Sequence, residues 1–114
     1  MSIKNRVVDL KNEIKKVNSF SERVKILKNS FIKEDCFILL TGPSFNDYNK
    51  EDLKNKLKDK LVFSVKQTYL GLESICDFHF WNCSNLPNTS DNIPYQYSNR
   101  TIAIASSNYP VGFR

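Results

Sequence analysis

From Ile3 the apolar residues recur at Ile3, Val7, Leu10, Ile14 and Val17. Steps of four and three fall on one stripe of an α-helix, because 3.6 residues complete a turn. The Lys and Asn residues between them face water, so the segment predicts an amphipathic helix. Residues 18–22 break the pattern, and Ser19 with Glu22 three residues later has the form of a capping box, in which each side chain satisfies a free backbone N–H of a new helix. That second helix is expected to run to about Ser30, with Val24, Leu27 and Phe31 inward. Cys36-Phe37-Ile38-Leu39-Leu40 is a continuous apolar run that suits a strand buried on both faces of a parallel sheet, and Thr41-Gly42-Pro43-Ser44 stops it.

Beyond that turn the pattern alternates. Residues 50–60 predict an exposed helix anchored by Leu53 and Leu57, residues 61–65 a strand, and residues 68–73 a short helix. Residues 77–81 predict a third strand, residues 86–99 a loop rich in Asn, Ser, Thr, Asp and Pro, and residues 101–105 a fourth strand. The expected fold is α/β: a three-layer sandwich on a mostly parallel sheet of about four strands with right-handed crossovers, preceded by one or two amphipathic helices. Residues 1–32 form the helical segment and residues 33–114 the sheet domain. The first helix could in principle serve as a coiled-coil seam. Barely two heptads long, it is expected instead to pack on the chain's own sheet.

Length and composition narrow the classes. With 114 residues there is room for one core, and 40% hydrophobic with 25% charged residues are globular proportions. No apolar run approaches the roughly 18 to 20 residues of a membrane span, and the amino terminus is Lys-rich and interrupted, so a cytoplasmic protein is expected. The net charge of +5 comes from thirteen Lys and four Arg against twelve acids, and all the excess lies in residues 1–60. Lys interspersed with Glu and Asp on helices marks solvated faces, where a nucleic-acid footprint would cluster Arg, so no nucleic-acid partner is expected. Cys36, Cys76 and Cys83 sit in apolar or strand-like segments without metal-ligand spacing, which predicts reduced, buried thiols and no metal or cofactor.

Ligands of open α/β sheets bind beyond the carboxyl ends of the strands. Here those ends carry Thr41-Gly42-Pro43-Ser44, Lys66-Gln67-Thr68, Asn82-Cys83-Ser84-Asn85 and Ser106-Ser107-Asn108-Tyr109. Four consecutive ends with small hydrogen-bonding groups would line one sheet edge with donors and acceptors, which suits a nucleotide or sugar better than an apolar ligand. Plain surface turns are the competing reading, since α/β loops are polar in general. Gly42 allows close backbone approach, Ser44 offers a hydroxyl and N–H to a phosphate, and Lys66 offers a cation. Gly-Pro-Ser is neither a dinucleotide fingerprint nor a P-loop and is also an ordinary turn.

His79 lies between Phe78 and Phe80 and is expected to be a packed or partly exposed sheet residue rather than a base. Asp47, Glu51 and Asp52 read as charges complementing a helix N-terminus, and Cys83 as inert.

On these residues the chain resembles the amino-terminal part of the bacterial sialyltransferases of glycosyltransferase family 42. The matching features run in order: the apolar strand into Gly42-Pro43-Ser44 followed by Asp47-Tyr48, the Val-Phe strand ending near Gln67, the aromatic strand closing in Phe80-Trp81-Asn82, and a later strand into Ser107-Asn108-Tyr109. The resemblance implies a Rossmann-like domain that binds a cytidine-monophosphate-activated sialic acid, with binding roles for Gly42, Ser44, Gln67, Asn82, Ser107 and Asn108. Thr41 and Lys66 stand where that family carries Asn. A Gly-Pro-Ser start is also similar to that of pterin diphosphokinase-like proteins.

The resemblance covers about Cys36 to Tyr109. The family's later half, with its catalytic histidine and assisting tyrosines, has no counterpart here, and His79 does not match that histidine. The expected function is therefore binding of a nucleotide-sugar donor at Thr41, Gly42, Pro43, Ser44, Lys66, Gln67, Asn82, Ser84, Ser107 and Asn108, as a truncated, divergent or split glycosyltransferase-like protein. The alternative is a non-catalytic interaction or assembly protein that uses the first helix for a partner chain or homo-oligomer.

Overall fold

The computed structural model describes residues 2–82 and 96–106, with Asn82, Ala105 and Ser106 described by their backbone alone. Helix α1 spans Ile3–Lys15, and the Ser2 side chain caps it by accepting the N–H of Asn5. Helix α2 spans Phe20–Leu27, and its N-cap is Ser19, whose hydroxyl accepts from the N–H of Glu22 at 3.1 Å. Strand β1 is Cys36–Leu39, and a 3-10 turn over Pro43–Asp47 leads into α3, Lys50–Leu57, capped by Asn49. Strand β2 is Leu61–Val65, a second 3-10 turn covers Lys66–Tyr69, and β3 (Phe78–Asn82) and β4 (Ile102–Ser106) complete the sheet. The helix expected over residues 68–73 is replaced by this tight turn, and Gly71, inside the expected range, adopts a positive φ that a right-handed α-helix does not accommodate.

The four strands are parallel in the order β1-β2-β3-β4, the expected α/β, Rossmann-like architecture. Each strand lies one step from its predecessor in the sheet, and the β1–β2 and β2–β3 connections bring their apolar residues to the same face. Leu57 of α3 and Tyr69, Leu72, Ile75 and Cys76 of the β2–β3 connection accordingly pack with Val62 in one core. Val7 and Leu10 of α1 pack with Leu61, Phe78 and Ile102 in the other. Leu61 and Val62, adjacent in sequence, enter opposite cores, as the two-residue period of a strand requires.

The stripe predicted on α1 is spent on this sheet. Val7 and Leu10 are 0% and 8% exposed, in keeping with the expected packing of this helix on the chain's own sheet. The expected inward placement of Val24 is corrected: it is 43% exposed, and Leu27 and Phe31 supply the apolar contacts of that region.

A larger correction concerns β1. A strand buried on both faces is expected, yet Phe37 and Ile38 are 42% and 56% exposed. The physical reason is position: β1 ends the sheet, and α1 packs over β2, β3 and β4. Cys36 is exposed as well, against the buried thiol expected, while Cys76 is buried. Loss of solvation pushes the Cys76 thiol up to about 11, which keeps it protonated and inert. Cys83 lies outside the described residues.

At the amino ends of the strands Asp77 is fully buried. Its Oδ2 accepts from the N–H of Val62 at 2.8 Å and from Lys4 Nζ at 2.9 Å, and its Oδ1 accepts from Arg100 Nη2 at 2.6 Å. Lys4 also donates to the carbonyl of Ile75, and Arg100 to that of Cys76. One carboxylate thereby ties α1, β2, β3 and the entry to β4. Among the described residues no helix is long and apolar enough to cross a membrane.

Candidate functional site

A parallel sheet delivers all its carboxyl ends to one edge, so the predicted site residues meet there as a consequence of topology. At the end of β1, Thr41, Gly42, Pro43 and Ser44 are all exposed. Gly42 accepts the N–H of Phe45 at 3.0 Å through its carbonyl. Its φ of −61° is open to any residue, and a Cβ built there meets nothing within 4 Å. Neither backbone strain nor packing therefore requires glycine at position 42.

Gly42 and Ser44 border a cleft of about 630 Å³ beside β1, walled by Phe37, Leu39, Phe45 and Leu53. Lys66 and Gln67 are exposed on the adjoining turn after β2 and are not part of that wall. The two turns are joined by Thr68. Its hydroxyl oxygen accepts from the N–H of Val65 at 3.0 Å, and its proton is shared between the carbonyls of Leu39 at 2.9 Å and Val65 at 2.8 Å. The backbone of Asn82 ends β3 beside Ser106, whereas Ser84, Ser107 and Asn108 lie outside the described residues.

Lys66 holds φ at +50°, a left-handed conformation that costs a residue with a side chain roughly 1 kcal/mol. His79 holds it there. Its Nε2 lies 2.8 Å from the Lys66 carbonyl, and its Nδ1 lies 2.6 Å from the Tyr97 hydroxyl. A carbonyl can only accept, so Nε2 carries the proton and Nδ1 of the neutral ring accepts from Tyr97. The rings of Tyr69, His79 and Tyr97 cluster with centroids 4.9 to 5.4 Å apart. Tyr69 in turn donates to Thr101 Oγ1 and accepts the N–H of Ser98.

His79 is thus a packed sheet residue, as expected, with a further role in shaping the β2 turn. Tyr69 and Tyr97 escape sequence reasoning, because each sits in a segment without periodicity and their convergence on His79 depends on the sheet. Among the described residues no group of three or more His, Cys, Asp or Glu gathers as a metal site.

Burial holds the His79 imidazole below its ordinary value of 6.5, against the smaller opposing pull of the Lys66 carbonyl. The unfolded chain therefore takes up a proton near pH 6.5 that the folded chain refuses. Stability from this residue is full above that pH and falls as the pH drops through the folded value. His79 is the chain's single histidine, so the difference between the wild-type and His79→Gln melting profiles from about pH 7.5 to 5 isolates it. The wild type is expected to lose stability more steeply on acidification, and parallel profiles would refute the assignment. No protein-family model, curated protein sequence or solved structure matches the chain.

Proposed function

We propose that the chain binds a nucleotide or nucleotide-sugar at the carboxyl edge of its sheet, in the manner of the donor-binding half of a sialyltransferase-like protein. The observation that carries this reading is the adjacency of two polar turns at the ends of neighbouring parallel strands, Gly42 to Ser44 and Lys66 to Gln67. The first of them borders a cleft of about 630 Å³. An exposed backbone at Gly42, a hydroxyl at Ser44 and a cation at Lys66 suit a phosphate. Phe45 and Tyr48, which line the same cleft, offer rings to a base. The proposal is for binding; no residue is assigned a bond-making step, and His79 is fully buried with both ring nitrogens engaged.

The test is a thermal titration with cytidine monophosphate, with adenine and uridine nucleotides alongside. A ligand at about 100 times its dissociation constant adds roughly 2.7 kcal/mol, or about 10 °C for a domain of this size. A selective cytidine shift is expected. Gly42→Ala should abolish it while leaving the unliganded melt unlowered or slightly raised, because the added methyl meets no protein atom and the unfolded chain loses freedom. Lys66→Gly should raise the unliganded stability slightly by relieving the left-handed strain, yet weaken binding by removing the cation. No shift with any nucleotide, from a folded protein, would refute the reading.

A further inference from the structure

Strand β1 is built as an interior strand and placed at an edge. Its run Cys36-Phe37-Ile38-Leu39-Leu40 is apolar on both faces, yet Phe37, Ile38 and Leu40 are 42%, 56% and 62% exposed. Among the described residues no strand pairs with its outer side, which leaves main-chain N–H and C=O groups facing outward between those side chains. Proteins usually guard such an edge with a lysine, a proline or a bulge. Residues 36 to 42 contain no charge and no proline; the first proline is Pro43, past the strand.

We propose that this edge pairs with the same edge of a second copy, antiparallel, about a two-fold axis at Ile38. The inference does not rest on the nucleotide reading. Centring on Ile38 gives the fullest overlap of the run. Phe37 then opposes Leu39 of the other copy and Cys36 opposes Leu40, so apolar side chains meet on both faces of the extended sheet.

Charge selects the direction. Glu34 and Asp35 precede the run, and no charge follows it until Asp47. Antiparallel pairing sets Asp35 against Thr41 and Glu34 against Gly42, whereas parallel pairing would set each acid against its own copy, a destabilising arrangement.

Area sets the strength. Phe37, Ile38 and Leu40, at 42%, 56% and 62% exposed, leave about 300 Å² per protomer if each residue offers roughly 200 Å². The pair thus brings about 600 Å² together before the main chain and Cys36 are added, which makes a weak, reversible dimer.

Sedimentation of the full chain from about 1 to 500 μM, the range of weak, reversible association, tests this. The mass is expected to rise from 13.3 kDa toward twice that value. Ile38→Lys sets two ammonium groups across the axis in an apolar seam and should raise the dissociation constant about 100-fold or more. Because Ile38 is half exposed, the variant should keep the wild-type circular dichroism and melt.

A second variant, Leu40→Cys, reports the register. With oxidised glutathione as oxidant, the introduced thiol should link to the native Cys36 of the other copy. Two Cys36 residues would stand about 13 Å apart along the strands, beyond the roughly 7 Å that a disulfide bridges. A monomer throughout, a dimer indifferent to Ile38→Lys, or a Cys36-to-Cys36 link in the wild type would each overturn the proposal. The first of these would hand the edge to a strand of a different protein.

Discussion

Asp77→Ala is expected to lower the unfolding free energy by about 3 to 5 kcal/mol, the loss typical when one partner of a buried ion pair is removed. Against the roughly 5 to 15 kcal/mol that hold an average domain together, this leaves little margin. The cost has three sources. The N–H of Val62 loses its acceptor inside the sheet, and the ammonium of Lys4 and the guanidinium of Arg100, each only 18% exposed at the side chain, lose their counter-charge. Burial already holds Lys4 below its ordinary value of 10.5, opposed by the hydrogen bond and charge of Asp77, so its ammonium is poorly solvated without the carboxylate. Asp77→Asn keeps the size and one acceptor but not the charge, and its loss should be intermediate. Urea unfolding with an unchanged slope is the measurement. A loss below about 1 kcal/mol for Asp77→Ala would mean that the ion pairs behave like surface ones.

Val7→Asp is expected to prevent folding, while Val8→Asp, one residue along the same helix, should cost less than about 1 kcal/mol. Val7 is fully buried among apolar residues of β2, β3 and β4, so a carboxylate there is desolvated. Val8 is 37% exposed, so an acid there keeps its contact with water. Far-UV circular dichroism and one-dimensional proton spectra of the two variants decide the point. If Val7→Asp folded normally, α1 would be a peripheral arm, and its stripe would again be a candidate for a partner. If it unfolds, the first helix belongs to the sheet's own core.

Much of the fold is legible in the chain because local periodicity carries it. The four-and-three spacing of Ile3, Val7, Leu10 and Ile14 marks α1, Ser19 marks the start of α2 through its side-chain oxygen, and Leu61 to Val65 marks β2 to the residue. The β3 and β4 strands are displaced by one residue from expectation, within the ordinary imprecision of strand ends. The site is partly legible in the same way. Polar turns after apolar runs identify Gly42, Ser44, Lys66 and Gln67, and a parallel sheet must bring them to one edge. Gln67 and Ser44 nevertheless occupy separate turns rather than one cleft wall.

What the sequence by itself determined was element type, the parallel α/β plan and the polar character of the strand ends, all properties of residues near one another in the chain. Only the tertiary structure decided which strand would stand at the edge, that Lys66 would be held left-handed by His79, and that Asp77 would meet Lys4 and Arg100. These contacts join residues 13 to 73 positions apart. Strand order and side-chain convergence are settled by the packing of whole faces, on which a local window of sequence carries no information.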